Sequence, residues 1–272
     1  MSGGQRIAFI GGGNMAGALI GGLLQARAAP RDLLALEIDA ARRAQLERQF
    51  GISTLAAADA TLRGCDVIVL AVKPQQMKDV CAMLAPFAGQ SLVLSIAAGI
   101  RASDLARWLG AQAIVRAMPN TPALIGRGIT GLLAMPGVDP AQRAAAERIM
   151  LAVGRVVWFE DERSLDTVTA ISGSGPAYVF YFIEALIAAG RAEGLTEQQA
   201  SELATATFAG AAELAAQSHE PIALLRERVT SKGGTTAAAL ASLETDRVAA
   251  AIAKAVHAAK VRAQELGDEF GR

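Results

Sequence analysis

Histidine, cysteine and aromatic residues are scarce in this 272-residue chain, and neither sign of charge is in excess. The two cysteines, Cys65 and Cys81, have no CxxC spacing. A disulfide framework and a cysteine-based zinc site are both disfavoured, and the pair reads as reduced thiols of a cytoplasmic protein. Lys+Arg and Asp+Glu are equal at 26 each. A protein that neutralises nucleic-acid phosphates carries a basic excess, so a nucleic-acid partner is not expected. Aromatics are 4% of residues, so the core must be mostly aliphatic and alanine, which suits close helix packing. The most apolar run, Ala177 to Gly190, is shorter than the about 20 residues of a spanning helix and contains Glu184. It reads as a buried core helix, with no membrane partner expected. Met1 to Arg6 leads straight into a strand pattern and lacks a secretory signal. No metal site is expected.

What is present is a foldable core. Hydrophobic residues make up 52% and charged residues 19%, which excludes global disorder. The first part alternates apolar runs with helical patterns. The runs are Arg6 to Ile10, Leu33 to Ile38, Asp66 to Val72 and Ser91 to Ile96, with weaker ones at Ile114 to Met118 and Gly131 to Met135. Continuous β-branched runs between helices predict a parallel sheet covered on both faces. Asp139-Pro140 with Gln142 predicts a capped helix to Leu151, and Val153 to Phe159 a final strand. Beyond about Asp161 the strand pattern stops. Gly175-Pro176 is expected to open a helix that is apolar on nearly every side, and Thr196 with Gln199 to cap another. Val248, Ile252, Val256, Ala259 and Ala263 share a stripe of a long last helix. The fold class is therefore α/β: a Rossmann-type parallel sheet over residues 1–161, then an all-helical domain over 162–272.

The first βα turn, Ile10 to Gly17, contains G-x-G-x-x-A as Gly11, Gly13 and Ala16. Gly11 permits the tight turn, Gly13 lets backbone approach a pyrophosphate, and Ala16 is small enough for helix-on-strand packing. The helix N-terminus adds free N–H groups and positive partial charge. This position predicts a dinucleotide. Glu37 and Asp39, at the end of the second strand, suit a ribose 2′-hydroxyl and NADH; Arg42 and Arg43 suit a 2′-phosphate and NADPH. The choice stays open. Lys73-Pro74, Ala97-Ala98-Gly99 and Met118 to Pro122 end three further strands, the edge where ligands bind in such sheets. In the helical part, Ile171 to Tyr178 is satisfied by a capped helix start. Val229 to Thr236 holds four hydroxyls and two glycines in eight residues, more than a cap requires, and suits a carboxylate.

The motifs GGGNMA, LAVKP, MPNTP, ISGSGPAY and VTSKGGTT, in this order and spacing, resemble pyrroline-5-carboxylate reductase over roughly Arg6 to Leu266. The resemblance implies reduction of L-1-pyrroline-5-carboxylate to L-proline with NADPH or NADH, the last step of proline biosynthesis. It also implies a Rossmann domain joined to a helical dimerisation domain, and homodimers that commonly assemble as decamers. By motif, Gly11, Gly13, Asn14, Met15 and Ala16 would face the cofactor phosphates and Glu37 the ribose. Ala71, Lys73, Pro74 and Ala97 would line the cofactor groove, with Asn120 nearby. Ser231, Gly234 and Thr235 would bind the substrate carboxylate, and the Thr236 hydroxyl would reach the ring nitrogen. Lys232 stands where many members carry proline.

Two other readings are weighed. A β-hydroxyacid dehydrogenase resembles the two-domain plan, but needs a catalytic lysine on the helix after Ser174-Gly175, and Pro176 to Phe182 contains none. A non-catalytic dinucleotide sensor would leave the second hydroxyl-rich loop unused. Neither His219 nor His257 lies in a motif, which argues against a histidine base. Imine reduction does not need one.

Overall fold

The computed structural model describes residues 4–111 and 113–271. By its contacts the chain divides into two units, residues 1–174 with 259–272, and residues 175–258.

The first unit is built on one sheet of order β3-β2-β1-β4-β5-β6-β7-β8. Its strands are β1 (Ile7–Ile10), β2 (Leu33–Leu36), β3 (Ser53–Leu55), β4 (Val67–Leu70), β5 (Leu92–Ser95), β6 (Ile114–Met118), β7 (Gly128–Ala134) and β8 (Gly154–Trp158). Strands β1 to β6 pair in parallel; β7 runs antiparallel to β6, and β8 parallel to β7. The order reverses between β1 and β4, which places a crevice at their carboxyl ends.

The continuous apolar runs have a direct cause. Phe9, Ala35, Val69 and Leu94 point to one face, where they pack under α1 (Asn14–Gln25) and α5 (Pro140–Leu151). Their neighbours Ile10, Leu36, Leu70 and Val93 point to the other, under α3 (Met77–Ala88) and α4 (Ala102–Leu109). With both faces covered, neither parity of residue is free to be polar. Helix α2 (Ala40–Phe50) buries only Leu46 and is otherwise polar; Asp39 caps it by accepting from the Ala41 and Arg42 N–H groups. The capping box of Asp139 and Gln142 forms as the sequence predicts.

Two strand expectations are corrected. Strand β3, short and half-exposed, was not foreseen. Strand β7 starts at Gly128 and runs antiparallel, because the MPNTP segment turns the chain back on itself. Gly175-Pro176 opens α7 (Gly175–Ala192), as the sequence predicts, with Pro176 in the first turn where its missing N–H costs nothing. Before it lie α6 (Arg163–Val168) and a π-helical turn at Thr169–Gly173, in which the Ser174 N–H donates to Thr169 O, five residues back, at 2.8 Å. The stretch Arg163–Ala192 is long and apolar enough to cross a membrane by length and composition alone.

The second unit consists of α7, α8 (Glu197–Gln217), α9 (Ile222–Arg228), α10 (Thr235–Thr245) and the first part of α11 (Val248–Phe270). The Thr196–Gln199 capping box opens α8. Contrary to the buried core helix expected, α7 has no buried residue within one chain; Phe180 is 61% and Tyr181 68% exposed. Of the last-helix stripe, only Ala263 is buried. The apolar pattern is present, but within one chain α8 covers it only in part: Phe182, Ile183 and Ile187 are half-buried while Phe180, Tyr181 and Leu186 stay exposed.

Both cysteines are free and buried in the first unit. Burial pushes the Cys81 thiol up to about 12 and raises that of Cys65 as well. Both thiols therefore stay protonated at pH 8. Ellman's reagent at pH 8 is expected to titrate no thiol in the folded protein and both in guanidinium; rapid titration of either in the folded protein would contradict this packing.

Candidate functional site

The glycine loop sorts its residues by what each one meets. Gly11 has φ +96°, and a Cβ there would lie 2.9 Å from Ala71 O. Glycine at this position is required by the turn itself. At Gly12 a Cβ would strike Leu46, so that glycine too serves the chain. Gly13 differs. Its φ is −64°, and nothing in the chain comes within 4 Å of a Cβ placed on it. Neither backbone strain nor internal packing demands glycine here; close approach by a ligand would. Gly13 is also the N-cap of α1, and no side chain caps that helix. The first N–H groups of α1 are thus available to an anion.

A cleft of about 670 Å³ opens on this loop. Among the expected cofactor residues it brings together Gly11, Gly13, Glu37, Ala71 and Lys73, and it also includes Asp39. Asn14 borders a different hollow along α1, and Ala16 is buried beneath the helix. Pro74 opens the short turn before α3. Ala97, 8% exposed, and Asn120 lie past the ends of β5 and β6, outside this cleft. Asn120 is already committed: its Oδ1 accepts from the Ile129 N–H at 3.0 Å, tying the MPNTP turn to β7.

Glu37 is not a free ribose acceptor either. Its Oε2 accepts from the Gly12 N–H at 2.8 Å and its Oε1 from the Asp39 N–H at 2.9 Å. The carboxylate shapes the glycine loop while facing the cleft. Arg43 donates to the carbonyls of Glu37 and Ile38 at 2.7 and 2.9 Å, and Arg42 donates to Gly12 O. An acid and two guanidinium groups thus share the end of β2. The sequence suggested these residues as competitors for the ribose; the backbone anchoring that all three make was not visible there.

The ISGSGPAY segment plays a larger part than a helix cap. Gly173 sits against the end of β6, where a Cβ would come within 2.6 Å of the Met118 methyl. Ser172 and Thr169 donate back to the carbonyls of Val168 and Leu165 within the π-turn region. The Tyr178 hydroxyl is buried without a hydrogen-bond partner among the described residues. The sequence placed Tyr178 in the ISGSGPAY motif but assigned its hydroxyl no role.

In the second unit, Val229 to Thr236 forms a tight loop closed by the Gly234 N–H donating to Ser231 O at 3.0 Å. Gly233 has φ +71°, and a Cβ on Gly234 would collide with the Ser231 hydroxyl. Gly234 is the N-cap of α10 and brings no side-chain cap. Ser231 Oγ and the first N–H groups of α10 therefore converge on one spot, a geometry that receives a carboxylate. Thr236 follows in the first turn of α10. Lys232 is exposed and adds a cation to the same loop. Among the described residues, no group of three or more His, Cys, Asp or Glu gathers as a metal site.

Comparison with known proteins follows this geometry. Residues 162–266 match the family model "Pyrroline-5-carboxylate reductase dimerisation". Pyrroline-5-carboxylate reductase from Pseudomonas aeruginosa is 44% identical over 269 residues, covering 98% of each chain. This chain belongs to the pyrroline-5-carboxylate reductase family. Residues 6–99 also match the model "NADP oxidoreductase coenzyme F420-dependent". Among solved structures, the pyrroline-5-carboxylate reductase of Coxiella burnetii superposes with a TM-score of 0.93 at 39% identity, covering 97% of this chain and 99% of its own. That of Plasmodium falciparum, solved with NADP bound, gives 0.84 at 30% identity, covering 97% and 98%. Helix α7 lies inside the matched dimerisation segment.

Proposed function

We infer that this chain reduces L-1-pyrroline-5-carboxylate to L-proline with NADPH or NADH, the last step of proline biosynthesis. The observation that carries the reading is the Ser231–Thr235 loop, suited to a carboxylate, whose next residue, Thr236, brings a hydroxyl in the first turn of α10. A nucleotide sensor has no use for it. The cofactor residues proposed are Gly11, Gly13, Asn14, Met15, Ala16, Glu37, Ala71, Lys73, Pro74, Ala97 and Asn120, and the open side of Gly13 fits a pyrophosphate there. When bound, a reduced nicotinamide supplies a hydride to the imine carbon.

The chain's own work is placement. Ser231 and the backbone of Gly234 and Thr235 hold the carboxylate, which fixes the face of the ring presented to the hydride. The Thr236 hydroxyl hydrogen-bonds at the ring nitrogen and orients it. A protonated imine is already electrophilic and becomes an amine on reduction, so no histidine base is needed. Steady-state absorbance at 340 nm with both nicotinamides tests this. Oxidation on adding the imino acid is expected, and binding of cofactor without oxidation would favour the sensor.

We place the functional division at 161/162, where the matched dimerisation segment begins, although by contacts residues 162–174 pack with the first unit. The small-molecule enzyme is a homo-oligomer. We place it as a homodimer in the cytoplasm, with a pentamer of dimers as its higher assembly. Exposed Phe180 and Tyr181 on α7 support a self-pairing surface. Phe180→Glu is expected to weaken the dimer at least about thirtyfold, the effect of losing ~2 kcal/mol at a buried anchor. Sedimentation velocity reads this as a shift to monomer, and an unchanged dimer would remove α7 from the interface.

A further inference from the structure

The order of the sheet says which loops face which end of a dinucleotide. In a doubly wound sheet one nucleotide lies over the first half, here β1 to β3, and the other over the half that begins with β4. The loop after β5, Ala97 to Arg101, thus belongs to the nicotinamide half. It is an unusual loop. Gly99 has φ +72°, and Ile100 is fully buried. From one side the last turns of α11 close on it: a Cβ on Gly99 would lie 3.3 Å from Leu266 and 3.4 Å from the Phe270 ring. Arg101 pairs with Asp268, and Arg107 donates to Gly271 O at 2.6 Å.

From the other side comes Glu162, in the loop after β8. Its Oε1 accepts the Ala102 N–H at 2.7 Å and so caps α4 from a distance in sequence. The same oxygen pairs with Arg116 Nη1 at 2.5 Å. Arg116 is a charged residue on an interior strand, its side chain 8% exposed and its backbone in register with Ser95 of β5. Arg116 is nearly buried while Glu162 keeps 32% of its side chain exposed, so the pair is half-buried and its net contribution to stability is modest. Stability alone does not explain its presence. Burial also pushes the neighbouring Asp166 carboxyl up, against the pull of Arg116 and Arg101.

We propose that Glu162 is a positioning residue for hydride transfer, holding the Ala97–Arg101 loop against the nicotinamide half of the cofactor together with the C-terminal turns of α11. The proposal rests on the reductase reading above. Arg116 holds Glu162, Glu162 holds the first turn of α4, and that turn fixes the loop. Helix α11 closes the clamp with Leu266 and Phe270. The far C-terminus of the chain thereby becomes part of the cofactor machinery without touching the cofactor.

The test compares NADPH with 2′-phospho-ADP-ribose, which lacks the nicotinamide. For Glu162→Ala, the Kd for NADPH is expected to rise about tenfold and kcat to fall about tenfold, while the Kd for the fragment stays within twofold. Glu162→Gln keeps an acceptor for the Ala102 N–H and should recover most of the loss. Phe270→Ala should repeat the pattern more weakly. Because Glu162→Ala leaves Arg116 unpaired, the double variant Arg116→Met/Glu162→Ala is measured beside it, with the same pattern expected. Equal loss of NADPH and fragment, or no loss of either, would overturn the proposal. If the unmodified protein bound no NADPH, the reductase reading itself would fall, a result distinct from any variant's.

Discussion

Replacing Gly11 with alanine is expected to lower NADPH affinity about a hundredfold, or ~2.7 kcal/mol. Two costs combine. An L-residue at φ +96° is strained by about 1–2 kcal/mol. The added Cβ would also press on Ala71 O at 2.9 Å and Val72 Cγ1 at 3.1 Å. Ala71 is anchored, since its N–H donates to Ile10 O at 2.8 Å, so the glycine loop must give way instead. That turns the first N–H groups of α1 away from their target. Gly13→Val separates the ligand's demand from the chain's: nothing lies within 4 Å, so melting temperature should hold while affinity falls at least tenfold. Gly51→Ala is the control, with φ +66° at the end of α2 and open space around it. It should lower stability slightly and leave NADPH affinity within twofold. Calorimetric titration of the three variants decides the matter. Equal losses in all three would mean that general strain, and not the glycine loop, governs binding.

Removing the Thr236 hydroxyl with Thr236→Val is expected to reduce kcat by about a hundredfold or more, as loss of one positioned donor typically does. The KM for cofactor should change little, because the cofactor residues lie elsewhere in the chain. Thr236→Ser, which keeps the hydroxyl, should stay within about tenfold of the parent. A loss confined to KM for the imino acid would reassign Thr236 to uniform binding. Unchanged kinetics would remove it from the mechanism.

Local chemistry was the legible part of this protein. The turn at Gly11, the caps at Asp139 and Thr196, and five of the parallel strands, β1, β2, β4, β5 and β6, follow from glycine placement, cap spacing and apolar runs that both faces of the sheet enforce. Strand β3 escaped because half-exposed Ser53 and Thr54 carry no apolar pattern. The start of α7 was legible in Gly175-Pro176, while the π turn before it was not, because it is a matter of hydrogen-bond register. For α7, the apolar periphery was readable but its exposure was not, because burial depends on what packs against the helix. The site shows the same limit. Ser231, Gly234 and Thr236 could be picked out as a cluster of hydroxyls and glycines. The Glu37 contact to Gly12 spans 25 residues, and the Glu162 contacts to Ala102 and Arg116 span 60 and 46. Pairings at such separations depend on the finished sheet.

The most direct measurement follows one atom. With NADPH carrying deuterium at both C4 positions of the nicotinamide and L-1-pyrroline-5-carboxylate as acceptor, mass spectrometry of the product should find one deuterium in proline, on the carbon next to nitrogen that bears no carboxylate. NADPH oxidised with no label in proline, or proline absent altogether, would contradict the account.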